Sequence, residues 1–298
     1  MEGTILISAQ LHGLPLLGTC EICCRWASPN EKVAPGASLV VPLFRLIRKA
    51  SMREFLCCLL LNCYSMCGRY RLSAKERYLR DHFSLDEDPS WVPRWNIAPT
   101  QRVPIVRQDS KDPKRTFGLV QWGLIPYWAK DRSIEFKTIN GMSETAAEKP
   151  AFRDAMRRRR CLIPADAFYE WKRVGKKAKQ PYSFGMIDDS VFAFAGLWER
   201  WRDPAGEFVE TCTILTTRPN SLVADVHDRM PVILKREDYD VWLDPGMTNV
   251  ALIADVLRPF DPRSMKKYPV STRVNRAEND DCGCAKEVPI ASTAQTLF

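Results

Sequence analysis

Short runs of β-branched and aromatic residues, separated by polar turns, recur along this chain and limit the folds open to it. Extended runs occupy 103–109 and 116–128, and further strands are predicted at 161–164, 182–186, 191–197 and 210–216. Helices are predicted at 73–83, 143–160, 222–226, 236–243 and 249–257, the first capped by Ser73 with Glu76 completing a capping box. Mostly antiparallel strands with a few peripheral helices predict an α+β fold in a single domain.

The first 65 residues differ in character from the rest. Residues 52–65 combine a basic start with an apolar run that is too short to span a bilayer, and no small-residue cleavage pattern follows it. We interpret 1–65 as a leader outside the domain, added by an over-extended gene start; a propeptide or a targeting segment are the alternatives. The domain is expected at 66–290, followed by a tail at 291–298.

Cysteine usage indicates a reducing compartment. Six of the eleven cysteines precede Met66, and the remaining five have neither the spacing of a disulfide framework nor that of a zinc site. We therefore expect a cytoplasmic monomer without metal or other cofactor. The formal net charge of +8 is modest, and it favours a polyanionic partner.

The sequence Met66-Cys67 carries the strongest chemical signal. If Met66 is the working start and is removed, Cys67 becomes an N-terminal residue with an amine and a thiol on adjacent carbons. Such a 1,2-aminothiol condenses with an aldehyde to an imine, and the thiol then closes a thiazolidine ring. An internal cysteine cannot do this, because its nitrogen is an amide.

Three other residues are candidates for chemistry, each with a structural alternative. His227 lies in a segment rich in polar and turn-forming residues, although a lone histidine is more often structural. Glu170, between two aromatic residues, faces either water or a cleft that would raise its pKa and suit it to proton transfer. Asn140 precedes a glycine, so its spacing favours a turn over a contact with substrate.

Aromatic and basic residues alternate in the segments 91–95, 122–130 and 153–160. A groove for single-stranded nucleic acid needs cations for the phosphates and flat rings for the bases. Buried tryptophans and a solvated arginine run are the alternative, and we favour it for 157–160. The sequence lacks phosphate-binding glycine loops, HExxH and GxSxG, which leaves nucleotide hydrolases, zinc peptidases and α/β-hydrolases without support.

Eight motifs occur in order along the chain, and together they resemble the SOS response-associated peptidase family of abasic-site processing proteins. A ninth segment, PVSTRVN at 269–275 with Asn279 and Asp280 beyond it, is similar to the C-terminal signature of that family. The eight motifs are MCGRY at 66–70, WNIAPTQ at 95–101, WGLIPYW at 122–128, NGMSET at 140–145, CLIPADAFYEW at 161–171, AGLW at 195–198, ILTT at 214–217 and HDRMP at 227–231.

The resemblance implies a β-barrel-like core and a protein that binds single-stranded DNA and traps abasic sites as a covalent thiazolidine. Cys67 would be the nucleophile, with Asn140 holding the sugar, Glu170 assisting imine formation and ring closure, and His227 moving protons at the sugar oxygen. The DNA surface would contain Arg69, Trp122, Trp128 and Arg229. The family name also implies a peptidase activity, most simply removal of the residue before the cysteine.

One position departs from the family pattern. Met142 stands where the family usually has an arginine that would contact the DNA backbone. Loss of one phosphate contact predicts weaker binding and a salt dependence lower by about one unit of slope. Two other functions remain open: a cysteine-dependent autopeptidase, and a single-stranded DNA-binding module without catalysis.

Overall fold

The computed structural model describes residues 67–109, 111–175 and 178–289. The predicted leader at 1–65 and tail at 291–298 lie outside these residues. The strands, in chain order, are β1 Tyr70–Leu72, β2 Arg94–Ile97, β3 Arg102–Gln108, β4 Arg115–Trp122, β5 Asn140–Met142, β6 Arg160–Ala165, β7 Ala167–Val174, β8 Ala178–Met186, β9 Phe192–Arg202, β10 Phe208–Thr217, β11 Met230–Pro231, β12 Ile233–Leu234 and β13 Met265–Pro269.

Five strands close into a barrel. The pairs β4–β3, β3–β6, β6–β9 and β9–β10 are antiparallel, and a parallel pair between β10 and β4 completes the ring. Three short strands extend it, because β5 and β11 add to β10 and β12 adds to β9. The prediction of an α+β fold with a mostly antiparallel, barrel-like core is confirmed.

A second sheet packs its aromatic side chains into the barrel. Its five strands follow the order β13-β8-β7-β1-β2, and every pair is antiparallel. Tyr70 of β1 makes edge-to-face contacts with Trp122 of β4, at 5.5 Å between ring centroids, and with Phe194 of β9, at 5.7 Å. All three rings are at most 1% exposed, so the barrel and this sheet share one core.

The inside of the barrel leaves no room for a side chain at position 196. A Cβ atom at Gly196 of β9 would come within 2.7 Å of the Ile163 side chain and 2.9 Å of Cys161 Sγ on β6. A glycine is therefore required where these two strands approach each other.

The α-helices of the described residues are fewer and shorter than the predicted helices. The α-helices are α1 Glu76–Phe83, α2 Arg153–Arg158 and α3 Tyr239–Leu243, and 3-10 helices occupy Arg132–Lys137, Arg236–Asp238, Val250–Leu257, Pro262–Ser264, Thr272–Asn275 and Cys282–Cys284. Among the described residues no helix is long and apolar enough to cross a lipid bilayer.

Three helix predictions need correction. The predicted helix at 143–160 is wrong before 153, because Pro150 disfavours helical backbone at the residue before it and 143–152 form turns. The segment 222–226 is a turn, held by Asn220 Oδ1 accepting from the amides of Leu222 and Val223. Ser73 does not cap α1, because its amide and hydroxyl donate to Asp166 Oδ2 at 2.6 and 2.8 Å.

The C-terminal part of the described chain is fastened to β2. Asp280 accepts hydrogen bonds from the amides of Trp95 and Asn96 at 2.6 and 2.8 Å, and it pairs with the guanidinium of Arg94. The side-chain nitrogen of Asn96, Nδ2, lies within 3.2 Å of the carbonyl oxygens of Val274, Arg276 and Asn279. The fold thereby brings residues 272–284 beside the strands that follow Cys67.

Candidate active site

Cys67 lies at the start of the described chain, directly before β1. Its backbone nitrogen donates to Glu170 Oε1 at 2.8 Å, and the residue is only 3% exposed. The pairing of β1 with β7 explains this contact, because Tyr70 opposes Phe168 and the antiparallel register leads from there towards Glu170. Cys67 has φ of 42°, an uncommon conformation for a residue with a side chain.

Glu170 lies on β7 and points inward, which decides between its two sequence-based alternatives. It is 2% exposed, whereas the neighbouring Tyr169 points to the opposite face of the strand and donates its hydroxyl to Trp95 O at 2.8 Å. Burial raises the pKa of the Glu170 carboxyl, while His227 and the hydrogen bonds from Cys67 lower it, with burial the larger effect.

His227 faces Glu170 from the turn before β11. Its Nε2 atom lies 3.9 Å from Glu170 Oε2. The Arg229 amide lies 3.1 Å from Nδ1, and a neutral ring that accepts this bond carries its proton on Nε2, facing Glu170. Asp228 Oδ1 lies 3.1 Å from the same Nδ1 atom, so it accepts the second N–H when the ring is protonated.

Asn140 begins β5, so the turn favoured by its spacing is wrong. This strand runs parallel to β10, with Asn140 opposite Ile214. The Asn140 amide nitrogen lies 3.5 Å from the Cys67 carbonyl oxygen. The structure therefore brings together four predicted site residues, two from strands and two from the segments before β1 and β11: Cys67, Asn140, Glu170 and His227.

Arg229 is the cation of this site, and it is largely buried. It donates two hydrogen bonds to Glu144, at 2.8 and 2.7 Å, and one to Thr216 O at 2.6 Å. Arg229 lowers the pKa of the Cys67 thiol, but burial and Glu170 raise it by more. Arg229 is 9% exposed, and its contact with DNA stays a prediction.

Arg69 is held by the C-terminal segment, and its contact with DNA stays a prediction. Its guanidinium donates to Asn96 Oδ1 at 2.9 Å, to Val274 O at 2.7 Å and to Asn275 O at 3.3 Å. Arg69 is not among the charges that shift the pKa of Cys67, whereas Arg229 lowers it. Arg69 instead joins the start of β1 to the C-terminal segment.

The two tryptophans predicted to contact DNA lie in different environments. Trp122 is 1% exposed and donates its indole N–H to Ile139 O at 2.8 Å, so it belongs to the core and not to a binding surface. Trp128 is 50% exposed, and Tyr127, the residue before it, is exposed as well. The correction for Trp122 follows from its position at the end of β4, where its ring meets Tyr70.

Sequence reasoning missed several residues that build the site. Glu144 and Thr216 hold Arg229, Asp228 contacts His227, and Asn96 binds Arg69. Each lies inside a motif that was recognised, but no signal in the sequence shows which residues of one motif meet those of another.

The arrangement suits proton transfer around a nucleophile. A buried carboxyl contacts the Cys67 nitrogen, an imidazole faces that carboxyl, and a cation held by Glu144 and Thr216 lowers the pKa of the thiol. No group of three or more His, Cys, Asp or Glu side chains that could hold a metal ion occurs within 67–109, 111–175 or 178–289.

Comparison with known proteins shows similarity over most of the chain. The abasic site processing protein YoqW of Bacillus subtilis is 42% identical over 218 residues, covering 72% of this chain and 96% of YoqW. The abasic site processing protein HMCES of Gallus gallus is 30% identical over 283 residues, covering 78% of this chain and 83% of HMCES.

Solved structures show the same fold. A crystal structure of a Bacteroides thetaiotaomicron protein matches with a TM-score of 0.68 at 29% identity, covering 75% of this chain and 100% of that chain. One from Bordetella bronchiseptica gives 0.60 at 29% identity, covering 69% and 100%. The sequence model of the SOS response associated peptidase family matches residues 66–277. This chain, whose barrel and site are described above, therefore belongs to the SOS response associated peptidase family.

Proposed function

We propose that this protein binds single-stranded DNA at abasic sites and captures the open-chain sugar aldehyde through Cys67. One observation carries the proposal: the Cys67 nitrogen lies 2.8 Å from the buried carboxyl of Glu170, whose other oxygen faces His227. The relatives YoqW and HMCES are named abasic site processing proteins, which supports the same lesion as the substrate here.

The proposal requires a chain that begins with Cys67. With residues 1–66 attached, the Cys67 nitrogen is an amide and cannot attack a carbonyl. Translation from Met66 with removal of that methionine, or cleavage after it, gives a free α-amine whose ordinary pKa of about 7.7 to 8.0 leaves a nucleophilic fraction at neutral pH.

The reaction balances with the loss of one water. The Cys67 amine adds to the aldehyde carbon, and the resulting carbinolamine loses its hydroxyl as water to give an imine. The thiol adds across the C=N bond, its proton ending on nitrogen, which forms the thiazolidine. Glu170, with its raised pKa, gives a proton to the departing hydroxyl.

The other site residues take roles set by their positions. His227 exchanges protons with Glu170 and with the sugar oxygen, in capture and in reversal. Asn140, beside the Cys67 carbonyl, holds the sugar. Exposed Trp128 stacks on a base, and cationic side chains around it bind the phosphates. The protein acts as a monomer in the cytoplasm.

The test uses protein produced from Met66, with the new N-terminus read by intact mass. Incubation with a single-stranded oligonucleotide containing one abasic site should give a denaturation-resistant adduct whose mass is protein plus DNA minus one water. The same protein should also add a small aldehyde such as glyoxylate with loss of water, which tests the aminothiol without DNA.

The matched controls are Cys67→Ala and the oligonucleotide with an intact base, and neither should give an adduct. An equal yield from Cys67→Ala would reject the proposal. Tight binding to DNA without any adduct, with Cys67 still open to alkylation in the complex, would establish a binding module in its place.

A second candidate, self-cleavage before Cys67, is favoured by the same hydrogen bond. In the longer chain the Cys67 thiol can attack the carbonyl carbon of residue 66; the C–N bond breaks, and Glu170 gives the departing nitrogen its proton. Water then hydrolyses the thioester. Intact mass of the full-length chain should show release of 1–66 that Cys67→Ala and Glu170→Gln abolish, and a full-length chain that stays whole would exclude this activity.

A further inference from the structure

Glu144 has no place in the mechanism above, yet it contacts the cation of the site. Its two carboxylate oxygens accept from the two terminal nitrogens of Arg229, at 2.8 and 2.7 Å. Arg229 holds the pKa of Glu144 below its usual range, so the pair is charged at neutral pH. The Glu144 side chain is 37% exposed and that of Arg229 is 11% exposed, so the carboxylate closes the solvent side of the guanidinium.

Charged groups on several elements act on the Cys67 thiol. Glu170 on β7 and Asp228 raise the pKa of the thiol, Arg229 lowers it, and His227 faces Glu170. Arg218, an exposed residue after β10, acts on Glu144. Arg229 is thus the cation that favours a thiolate, and within the described part of the chain its guanidinium donates hydrogen bonds to Glu144 and to Thr216.

We propose that Glu144 is a positioning residue, which holds the Arg229 guanidinium in the site and so maintains the reactivity of the Cys67 thiol. Without the two carboxylate contacts, the long Arg229 side chain turns towards solvent, where its charge is better hydrated. The inference deepens the proposed function, on which its meaning for DNA rests, but it concerns a property of the thiol that can be measured without DNA.

The test measures the rate of alkylation of Cys67 by iodoacetamide between pH 6 and 10, read by mass spectrometry of the peptide that contains Cys67. Glu144→Ala should shift the profile to higher pH by about half a unit, which is roughly threefold slower alkylation below the midpoint. Glu144→Gln keeps an acceptor for Arg229 and removes one negative charge, so its rate should equal or exceed that of the wild type.

The direction of the change in alkylation rate distinguishes a positioning role of Glu144 from a purely electrostatic role and from a merely structural one. If Glu144 acted only through its own charge, Glu144→Ala would speed alkylation; if it were merely structural, the midpoint would stay unchanged. In an Arg229→Gln background, Glu144→Ala should add no further slowing. Glu148→Ala, on the same exposed turn, is the matched control and should behave as wild type.

The measurement is made on the full chain and on the chain that begins with Cys67. Should Glu144→Ala fold poorly by thermal unfolding, Glu144→Ser provides the same comparison. The proposal is overturned if Glu144→Ala or Glu144→Ser leaves the alkylation profile unshifted or speeds alkylation. It is also overturned if Glu144→Gln slows alkylation as much as Glu144→Ala does. Either result would leave the proposed adduct with abasic DNA unaffected.

Discussion

Glu170 places a proton-binding group where an apolar side chain would pack more favourably. It is buried between Cys67 and His227, and desolvation raises its pKa. A carboxyl with a pKa closer to neutrality can both give and take a proton during capture. The same burial makes its charged form unfavourable in the folded state.

We expect Glu170→Gln to slow adduct formation with abasic DNA by roughly 10²-fold, because the amide keeps the shape and an oxygen acceptor but transfers no proton. The rate is measured by denaturing electrophoresis of timed samples at saturating DNA. Glu148→Gln serves as the control on an exposed carboxyl. An unchanged rate in Glu170→Gln would remove the carboxyl from the chemistry.

Although Glu170→Gln should slow adduct formation, it should increase the thermal stability of the protein. The folded-state pKa of Glu170 is raised, so its contribution is fully present below the unfolded pKa of about 4.3 and is lost as pH rises through the folded pKa. Glu170→Gln has no such loss. Its melting temperature should therefore exceed that of the wild type at pH 8, with the difference narrowing towards pH 4.5; a constant difference would contradict this.

At this scale the sequence predicted the four residues that meet but not their surroundings. Glu170 was ambiguous because strand alternation tells which residues share a face, not which face is buried. Arg69 and Arg229 were both taken as DNA contacts, whereas hydrogen bonds to distant segments hold them in the structure. Such bonds join residues more than 80 positions apart, and no local pattern reports them.

The element that contains Asn140 also contains Met142, where the resemblance predicts an arginine. In β5, Met142 lies opposite Thr216 and is 36% exposed, two residues beyond Asn140. A side chain at this position is therefore accessible to a DNA strand that reaches Asn140.

Met142→Arg should tighten binding to single-stranded DNA by roughly threefold to tenfold at low salt and steepen the salt dependence by about one unit of slope. Fluorescence anisotropy across a salt titration measures both. Met142→Leu, which keeps the size without charge, is the matched control. Parallel titration lines for the arginine variant and the wild type would show that no phosphate lies there.

Asp280 fastens the C-terminal segment to β2 through two backbone amides and Arg94. Asp280→Ala should lower the free energy of unfolding by about 3 kcal/mol, because it leaves two amides and a guanidinium without their acceptor. Urea unfolding measures this, with the exposed Glu278→Ala as control. A loss below about 1 kcal/mol would mean that water replaces the carboxylate.

Elements were predicted well where side chains alternate and poorly where tertiary bonds decide. The strand predicted at 161–164 lies inside β6, and the one predicted at 191–197 coincides with β9 from residue 192 onwards. The β-branched and aromatic residues of β6 and β9 fill the barrel. The helix at 143–160 failed in its first half, since Pro150 and the pairing of 140–142 with β10 leave turns there.

For the molecule as a whole, barrel closure separates two tryptophans that one motif places six residues apart. Trp122 lies in the shared core, and Trp128 lies in the exposed loop beyond it. The sequence predicted a barrel-like α+β domain, but not the parallel pair of β10 and β4 that closes it, because such a contact joins strands about 90 residues apart.

Trp122→Phe should lower the free energy of unfolding by about 2 kcal/mol, through a smaller ring and a lost bond to Ile139 O, while leaving the affinity for DNA of the remaining folded protein unchanged. Trp128→Ala should do the reverse. Urea unfolding and anisotropy on both variants provide the comparison, and weaker DNA binding by folded Trp122→Phe would place that ring at the surface after all.

The bonds from Arg69 to the carbonyls of Val274 and Asn275 have a consequence for biosynthesis. A ribosome adds about 5 to 20 residues per second, so on the order of 10 to 40 s separate the synthesis of Arg69 from that of its partners. During that interval the nascent chain has its cysteine but not the contacts that fix the backbone beside it. A prematurely terminated polypeptide would therefore carry Cys67 on a backbone that these two carbonyls never fix.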